Sequence, residues 1–282
     1  MSSYTLEPLG PTFGARILGL DTALPADATT RAALVEDLRR HRVLVFPEQD
    51  LDHARHIEFS RNFGPLDVYP VSDYVVREHP EVLVISNIFE NGRPIGLYDG
   101  DEQEEWHTDY SWKTRLSRAS LLYSAVAPDV GGDTLFADAT GAYDDLPSDV
   151  RTTIDDLVAV HSMNHLVEQE RLVNPHKAPL TDREREQMPD VCHPLVRTHP
   201  DTGRRSLLLG SMIISEIIGL ADREGRELLD RLHEHVTSER YVYRHHWAVG
   251  DLVLWDNQAT MHTRTACDRH QHQRLLYRTT VM

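Results

Sequence analysis

Two side chains that can bind a metal stand two positions apart in the segment Glu105-Trp106-His107-Thr108-Asp109. In an extended backbone, residues i and i+2 point to the same face, so the imidazole of His107 and the carboxylate of Asp109 can converge on one ion. Two histidines and one carboxylate, with open coordination positions, are typical of non-haem iron(II) oxygenases. An isolated His-x-Asp pair also occurs in exposed loops, so the hypothesis needs a third ligand from elsewhere in the chain.

His262 is the candidate for that third ligand. An apolar stretch, residues 252–255, runs into the polar pair Asp256-Asn257, and His262 follows shortly after. By itself, a histidine in this position is more often structural than a ligand. Together with the His-x-Asp pair it completes a set of two histidines and one carboxylate, so we predict His107, Asp109 and His262 as catalytic metal ligands.

Two arginines near the end of the chain could bind anions. In residues 274–281, Arg274 and Arg278 share one face of a predicted strand with Leu276 and Thr280. A guanidinium that points inward is costly unless it is paired, and its planar fork matches a carboxylate. Each arginine could instead form a structural ion pair with a protein carboxylate.

Composition excludes several classes of protein. The 282-residue chain carries a formal net charge of −16, which disfavours binding to nucleic acid or to an anionic membrane surface. The most apolar stretch, residues 206–220, is interrupted by polar residues and is too short to span a bilayer. Cys192 and Cys267 do not form a disulfide framework, and no signal peptide is evident. These features predict a cytoplasmic protein.

The order of predicted elements indicates a mainly β protein with helices, in the α+β class. Strands are predicted near both ends and a helical insertion between them, which favours a double-sheet jelly roll with peripheral helices in a single domain, residues 1–282. Residues 162–190 are polar and irregular, which suggests a surface excursion or an active-site lid. The elements that frame the candidate residues are a helix over residues 29–41 and strands over residues 43–46, 82–86, 121–126, 252–255 and 274–281.

The combination of motifs is much more specific than its parts. A His-x-Asp pair is followed by a distant histidine, an arginine twelve residues after it and a second arginine four residues later. In this order the chain resembles the family of taurine and 2,4-dichlorophenoxyacetate dioxygenases (TauD/TfdA), and the resemblance extends over nearly its whole length. The other segments that carry it are residues 6–11, Gly14-Ala15, Gly19-Leu20-Asp21, residues 61–66, Gly131-Gly132-Asp133-Thr134, residues 194–199 with Gly203-Arg204-Arg205, and Trp255-Asp256-Asn257.

The resemblance implies roles for particular residues. It implies that His107, Asp109 and His262 hold iron(II), and that Thr134 and Arg274 bind the distal carboxylate of the cosubstrate 2-oxoglutarate. O₂ is then the third reactant, and the products are succinate, CO₂ and a hydroxylated substrate. The retained carboxylate of Asp109 favours hydroxylation over halogenation. The implied fold is the double-stranded β-helix. Members of the family are often dimers or tetramers, so the resemblance allows a homodimer or a homotetramer.

The substrate site departs from the pattern of taurine enzymes. The family pattern gives Arg278 to the acidic group of the primary substrate, although it could instead pair with Asp138 or Asp256. Where taurine enzymes carry a His-Pro-Val-Tyr stretch, this chain has Tyr69-Pro70-Val71-Ser72, and Gln103 replaces an expected asparagine. Tyr69, Gln103 and Arg278 are therefore the predicted substrate-binding residues, and a small anionic aryloxyalkanoate-like acid is favoured over taurine.

Two other classes of protein fit parts of the pattern. A zinc hydrolase could use the same triad to activate water, although Thr134 and the two arginines would then have no role. A non-catalytic anion-binding barrel would be expected to have lost a ligand, and all three are present. Release of succinate distinguishes both alternatives from an oxygenase.

Overall fold

The computed structural model describes residues 4–69, 72–98, 100–173 and 178–282. The strands are β1 Thr5–Pro8, β2 Ala15–Leu18, β3 Val43–Phe46, β4 Val75–Val76, β5 His79–Ser86, β6 Phe89–Glu90, β7 Arg93–Pro94, β8 Ala119–Val126, β9 Thr134–Asp138, β10 Val158–His161, β11 Val191–Pro194, β12 Val196–Thr198, β13 Arg205–Leu207, β14 Ile214–Ile217, β15 Val242–His245, β16 Leu252–Asp256, β17 Thr260–Arg264 and β18 Leu275–Val281. The helices are α1 Ala28–His41, α2 His53–Ser60, α3 Ala139–Asp144, α4 Ser148–Ile154, α5 Met163–Val173, α6 Asp182–Gln187 and α7 Asp222–Val236.

A large sheet forms the frame of the molecule. Its eight strands lie in the order β1-β2-β3-β16-β8-β18-β5-β4, and neighbouring strands are antiparallel except β2 and β3. Strand β3 shows why it folds this way, because all four of its residues are apolar and buried. Leu44 and Phe46 belong to a core with Leu34 and Leu38 of helix α1, whereas Val43 and Val45 belong to a core on the opposite face. The sheet is therefore covered on both sides.

A smaller sheet packs against the core that contains Val43 and Val45. Its three strands have the order β15-β9-β17, and Phe136 of β9 packs with Val43, Val253 and Trp255 of the large sheet. In this sheet His262 of β17 is paired with Phe136. The two sheets thus enclose the end of the core at which the predicted ligand His262 lies.

A buried ion pair anchors helix α1 and strand β3 to the small sheet. Asp27 caps the helix by accepting a hydrogen bond from the backbone N–H of Thr30. The helix ends at Arg42, whose positive φ of 65° turns the chain directly into β3. The guanidinium of Arg42 binds the carboxylate of Asp138 at 3.0 Å, and both side chains are almost fully buried.

The middle of the chain is more regular than the sequence suggested. The prediction for residues 162–190 was irregular structure, but helices α5 and α6 occupy much of this range. Helix α6 begins with a capping box in which Thr181 and Glu184 each accept a hydrogen bond from the other's backbone N–H. A threonine followed three residues later by a glutamate is the sequence pattern of such a box. A lid role for this segment stays a prediction, and residues 174–177 lie outside the described residues. No helix in the described part of the chain is both long and apolar enough to cross a membrane.

Candidate active site

The structure brings His107, Asp109 and His262 together. One ligand atom from each lies within 4.8 Å of the others. His107 and His262 form an isolated antiparallel bridge, and their ring centroids are 4.2 Å apart. Asp109 and His262 are buried, and the His107 side chain is 29% exposed, so the cluster opens to solvent at one side. These distances suit one metal ion bound through nitrogen and oxygen ligands at about 2.0–2.2 Å.

The backbone fixes which nitrogen of His107 faces the cluster. Its Nδ1 lies 2.9 Å from the carbonyl oxygen of Glu105, so Nδ1–H donates to that oxygen and Nε2 keeps a free lone pair. A hydrogen bond of this kind orients a metal-binding histidine. The carboxylate of Glu104 also approaches Nε2, at 3.8 Å.

Asp109 is ionised and both of its carboxylate oxygens are bonded. Arg278 Nη1 donates to Oδ1 at 2.7 Å, and Ser120 Oγ donates to Oδ2 at 2.6 Å. Burial would raise the pKa of Asp109, but Arg278 and the two neighbouring histidines outweigh it and lower the pKa to about 2. His262 is neutral, because burial, reinforced by His107, lowers its pKa to about 3.

A chain of hydrogen bonds behind Asp109 explains the Trp255-Asp256-Asn257 motif. Trp255 Nε1 donates to Asn257 Oδ1 at 2.7 Å, and Asn257 Nδ2 donates to Ser120 Oγ at 2.8 Å. Ser120 Oγ in turn donates to Asp109 Oδ2. Asn257 Nδ2 also donates to Ser117 Oγ, and the Ser117 hydroxyl donates to the backbone carbonyl of Asp109. Sequence reasoning identified the motif but missed Ser117 and Ser120, which are ordinary serines until the fold places them beside the ligand.

The donor set fits a divalent metal such as iron(II). It comprises an ionised carboxylate, a neutral imidazole and an imidazole whose free nitrogen is directed by the backbone. In addition, His262 Nδ1 is buried without a hydrogen-bond partner in the described part of the chain. A metal at this point would be held by His107, Asp109 and His262.

The two residues predicted for 2-oxoglutarate are linked by the glycine turn, because Arg274 contacts Gly132, two residues before Thr134. Thr134 is buried, and its hydroxyl accepts a hydrogen bond from Trp247 Nε1 at 3.0 Å. Arg274 is buried as well, and its Nε donates to the carbonyl of Gly132 at 3.1 Å. Gly132 has a φ of +66°, and a Cβ there would lie 3.0 Å from Arg274 Cδ. The absence of a side chain at Gly132 therefore leaves room for the Arg274 side chain.

The guanidinium of Arg278 pairs with a protein carboxylate, which is the alternative to substrate binding, but the partner is neither Asp138 nor Asp256. It binds Asp109, and its side chain is 11% exposed. Asp138 is occupied by Arg42, and Asp256 lies 2.8 Å from His199 Nε2. Arg278 Nε is buried and has no hydrogen-bond partner among the described residues. The guanidinium thus still offers a donor beside the predicted metal site.

The other predicted substrate residues differ in position. Burial raises the pKa of the half-buried Tyr69; Arg278 opposes this shift, and Tyr74 and Asp109 reinforce it. Gln103 is exposed, and no hydrogen bond or ion pair between described residues joins it to the triad. Pro70 and Val71, the middle of the segment compared with taurine enzymes, lie outside the described residues. Tyr110, which follows Asp109 directly, is buried.

Comparisons with known proteins agree with this geometry. The family model described as taurine catabolism dioxygenase TauD, TfdA family, matches residues 5–280. The alpha-ketoglutarate-dependent 2,4-dichlorophenoxyacetate dioxygenase of Cupriavidus pinatubonensis is 35% identical over 99% of this chain and 98% of its own. The (S)-phenoxypropionate/alpha-ketoglutarate-dioxygenase of Sphingobium herbicidovorans is 34% identical over 95% and 92%. The crystal structure of AAD-2 in complex with Mn(II) and N-oxalylglycine has a TM-score of 0.84 at 31% identity, over 99% of this chain and 96% of that one.

A mixed α/β fold built mostly of sheets and a site of two histidines and one carboxylate define a non-haem metal-dependent oxygenase. The chain belongs to the TauD/TfdA family. It is an iron(II)- and 2-oxoglutarate-dependent dioxygenase, and the comparisons do not support the zinc hydrolase alternative.

Proposed function

We propose that this dioxygenase hydroxylates a C–H bond of a small organic acid, an aryloxyalkanoate-like acid in preference to taurine, and that Arg278 binds the acid group. The observation that carries the proposal is the buried Arg278 Nε, which has no partner among the described residues although it lies beside the metal ligands. An unsatisfied buried guanidinium donor is unfavourable until an acceptor arrives. The names of two relatives, which are dioxygenases of aryloxy acids, support the same class of substrate.

The remaining residues divide the other tasks. His107, Asp109 and His262 would hold the iron, and Thr134 with Arg274 would bind the distal carboxylate of 2-oxoglutarate. When bound, iron(II) and 2-oxoglutarate supply the activation of O₂ that yields succinate and CO₂ and hydroxylates the substrate. Ser120 and Asn257 keep Asp109 in place, and the buried aromatic residues around His262 exclude water from that side.

The proposal also covers the fold type, the cellular location and the assembly of the protein. The two sheets that share the core around Phe136 support a double-stranded β-helix in a single domain. Two free thiols, Cys192 and Cys267, suit a cytoplasmic location. We also predict a homodimer or a homotetramer. We predict no nucleic-acid partner and no membrane partner.

A turnover assay tests the proposal directly. Succinate release is measured with iron(II), 2-oxoglutarate and O₂ across phenoxyacetate, other small carboxylates and taurine. We expect stimulation by aryloxy acids well above that by taurine. Arg278→Gln should lower the substrate-dependent rate steeply and leave most of the 2-oxoglutarate affinity intact.

The matched control is Arg223→Gln, because Arg223 lies on helix α7 with its side chain 90% exposed. This variant should behave like the wild type. The proposal is wrong if a neutral or cationic compound stimulates best and Arg278→Gln turns it over normally. Thermal unfolding of Arg278→Gln distinguishes lost binding from lost folding. Because Arg278 also donates to Asp109, the iron(II) affinity of the variant is measured to separate lost acid binding from a weakened metal site.

A further inference from the structure

The indole of Trp247 donates a hydrogen bond to one of the two residues predicted to bind 2-oxoglutarate. Its Nε1 lies 3.0 Å from Thr134 Oγ1, and both residues are buried. Trp247 belongs to the core that contains Val43, Val45 and Phe136, so its ring is fixed by packing as well as by the hydrogen bond. An indole N–H can only donate, and the hydroxyl of Thr134 is therefore the acceptor in this contact.

This contact determines what the Thr134 hydroxyl can still do. A hydroxyl carries one hydrogen and two lone pairs, and the indole N–H of Trp247 occupies one lone pair. No residue in the described part of the chain accepts a hydrogen bond from this hydroxyl. A buried donor without an acceptor is unfavourable. The hydroxyl therefore keeps its hydrogen for an acceptor that the described residues do not supply.

The second donor group of this region is the guanidinium of Arg274. Its Nε donates to the carbonyl of Gly132, two residues before Thr134. A guanidinium has hydrogen-bond donors and no acceptor. A ligand group that meets Thr134 and Arg274 together is thus offered hydrogens by both. Such a pair of donors suits a carboxylate and disfavours an ammonium group.

The residues before Trp247 hold the same turn. Arg244 Nε donates to Asp133 Oδ2 at 2.7 Å, and His246 Nδ1 lies 3.0 Å from Asp133 Oδ1. Strand β15 also pairs antiparallel with β9, the strand that begins at Thr134. Strand pairing and the contacts of Asp133 therefore hold the backbone of the turn, and the indole of Trp247 sets the direction of the hydroxyl.

We propose that Trp247 is a positioning residue for 2-oxoglutarate. Its indole N–H fixes the hydroxyl of Thr134 so that this hydroxyl donates to the distal carboxylate of the cosubstrate. The inference rests on the proposed function, in which Thr134 and Arg274 bind that carboxylate. Without the indole N–H the hydroxyl is still present, but it can rotate and form other hydrogen bonds. Trp247 thus acts on the cosubstrate through Thr134.

The test is calorimetry of 2-oxoglutarate with the metal-loaded protein without O₂. Thr134→Val removes the hydroxyl and should weaken binding about 10-fold or more, as expected for a lost hydrogen bond to a charged group. Trp247→Phe keeps an aromatic ring, removes the N–H and should weaken binding about 2- to 10-fold. The double variant should bind like Thr134→Val alone, because no hydroxyl is left for Trp247 to orient.

Two controls separate this role from a merely structural one. The first is 2-oxopentanoate, which has the same keto acid group but no distal carboxylate, so the variants should bind it as the wild type does. The second is Trp112→Phe, at a partly buried tryptophan whose ring contacts Tyr110, which should bind 2-oxoglutarate like the wild type. A loss in Trp247→Phe that persists in full without the Thr134 hydroxyl, or that is equal for 2-oxopentanoate, overturns the positioning role. If Thr134→Val binds 2-oxoglutarate like the wild type, the assignment of Thr134 in the proposed function fails instead.

A second measurement covers the case in which Trp247→Phe does not fold. NMR of zinc-loaded wild type, labelled at the indole nitrogens, gives one indole N–H signal for each of the four tryptophans. The signal that Thr134→Val moves most belongs to Trp247. We expect 2-oxoglutarate to move this signal and 2-oxopentanoate to leave it in place. A signal that does not respond to saturating 2-oxoglutarate overturns the proposal.

Discussion

His107 and His262, which belong to segments far apart in the sequence, are joined by two backbone hydrogen bonds. The N–H of His107 donates to the carbonyl of His262 at 3.0 Å, and the N–H of His262 donates to the carbonyl of His107 at 2.9 Å. The main chain therefore sets the separation of these two ligands, independently of their side chains. Replacing either imidazole should remove a ligand without separating the strands.

The hydrogen-bond chain behind Asp109 should affect metal affinity. Ser120→Ala removes the bond to Asp109 Oδ2, and Asn257→Ala removes the group that orients Ser120. Partners of metal ligands are typically worth about 10- to 100-fold in affinity, so each variant should bind iron(II) more weakly by roughly that factor. Anaerobic titration with iron(II) measures the effect.

Because both changes act through the same serine, the double variant should lose less than the product of the single effects. Ser148→Ala, at an exposed serine, is the control and should bind iron(II) like the wild type. No loss in either single variant would show that these hydrogen bonds do not support the metal site, and fully additive losses would show that Asn257 does not act through Ser120.

Arg274→Ala should weaken 2-oxoglutarate binding far more than iron binding. Loss of a charge-assisted hydrogen bond costs about 1.5–3 kcal/mol, or roughly 10- to 100-fold in the dissociation constant. The measurement is calorimetry of 2-oxoglutarate with the metal-loaded protein without O₂. Arg274→Lys keeps the charge without the guanidinium fork. Its affinity for 2-oxoglutarate should therefore lie between those of the wild type and Arg274→Ala. If 2-oxoglutarate binds equally well to all three proteins, its carboxylate lies elsewhere.

Stability should fall in mild acid because of His161. This residue is fully buried, neither ring nitrogen has a partner among the described residues, and burial, reinforced by His193, lowers its pKa to about 3 from 6.5. Between these values the unfolded chain takes up a proton that the folded chain does not, so the free energy of unfolding decreases as the pH falls. From pH 7 to pH 5 this one residue should contribute a loss of about 2 kcal/mol.

Urea denaturation of the metal-free protein at pH 7 and pH 5 checks the pH effect. His161→Leu should lose less stability than the wild type over this range, because the titrating group is gone. His270→Leu, at an exposed histidine, should lose as much as the wild type. Equal losses in the wild type and His161→Leu would contradict the assignment.

The candidate metal-binding residues could be proposed from the sequence because their chemistry is local. His107 and Asp109 are two residues apart, and the strand period predicts that they share one face. In the structure His107 forms an isolated bridge and Asp109 lies in the turn that follows. Arg274 and Arg278 were likewise predicted from strand alternation to point inward. The contact between Arg278 and Asp109 could not be predicted, because it depends on how strand β18 lies beside the loop after His107.

Other features depend on contacts between distant segments. The positive φ of Tyr110, +61°, cannot be identified from the local sequence. Strand β17 carries His262 but has no apolar run, because Thr260-Met261-His262-Thr263-Arg264 is a mostly polar strand buried by its neighbours. The regular structure of α5 and α6 was missed because their composition is polar, as expected of helices on a surface.

The most direct test of the account is the stoichiometry of iron(II) bound without O₂. The wild type should bind one iron(II) per chain, and Asp109→Ala and His262→Ala should bind none at concentrations that saturate the wild type. Asp201→Ala, which changes a carboxylate bonded to Arg118 far from the triad in sequence, is the control and should bind one. If Asp109→Ala and His262→Ala are folded and still bind one iron(II) as tightly as the wild type, the metal site is not the one formed by His107, Asp109 and His262.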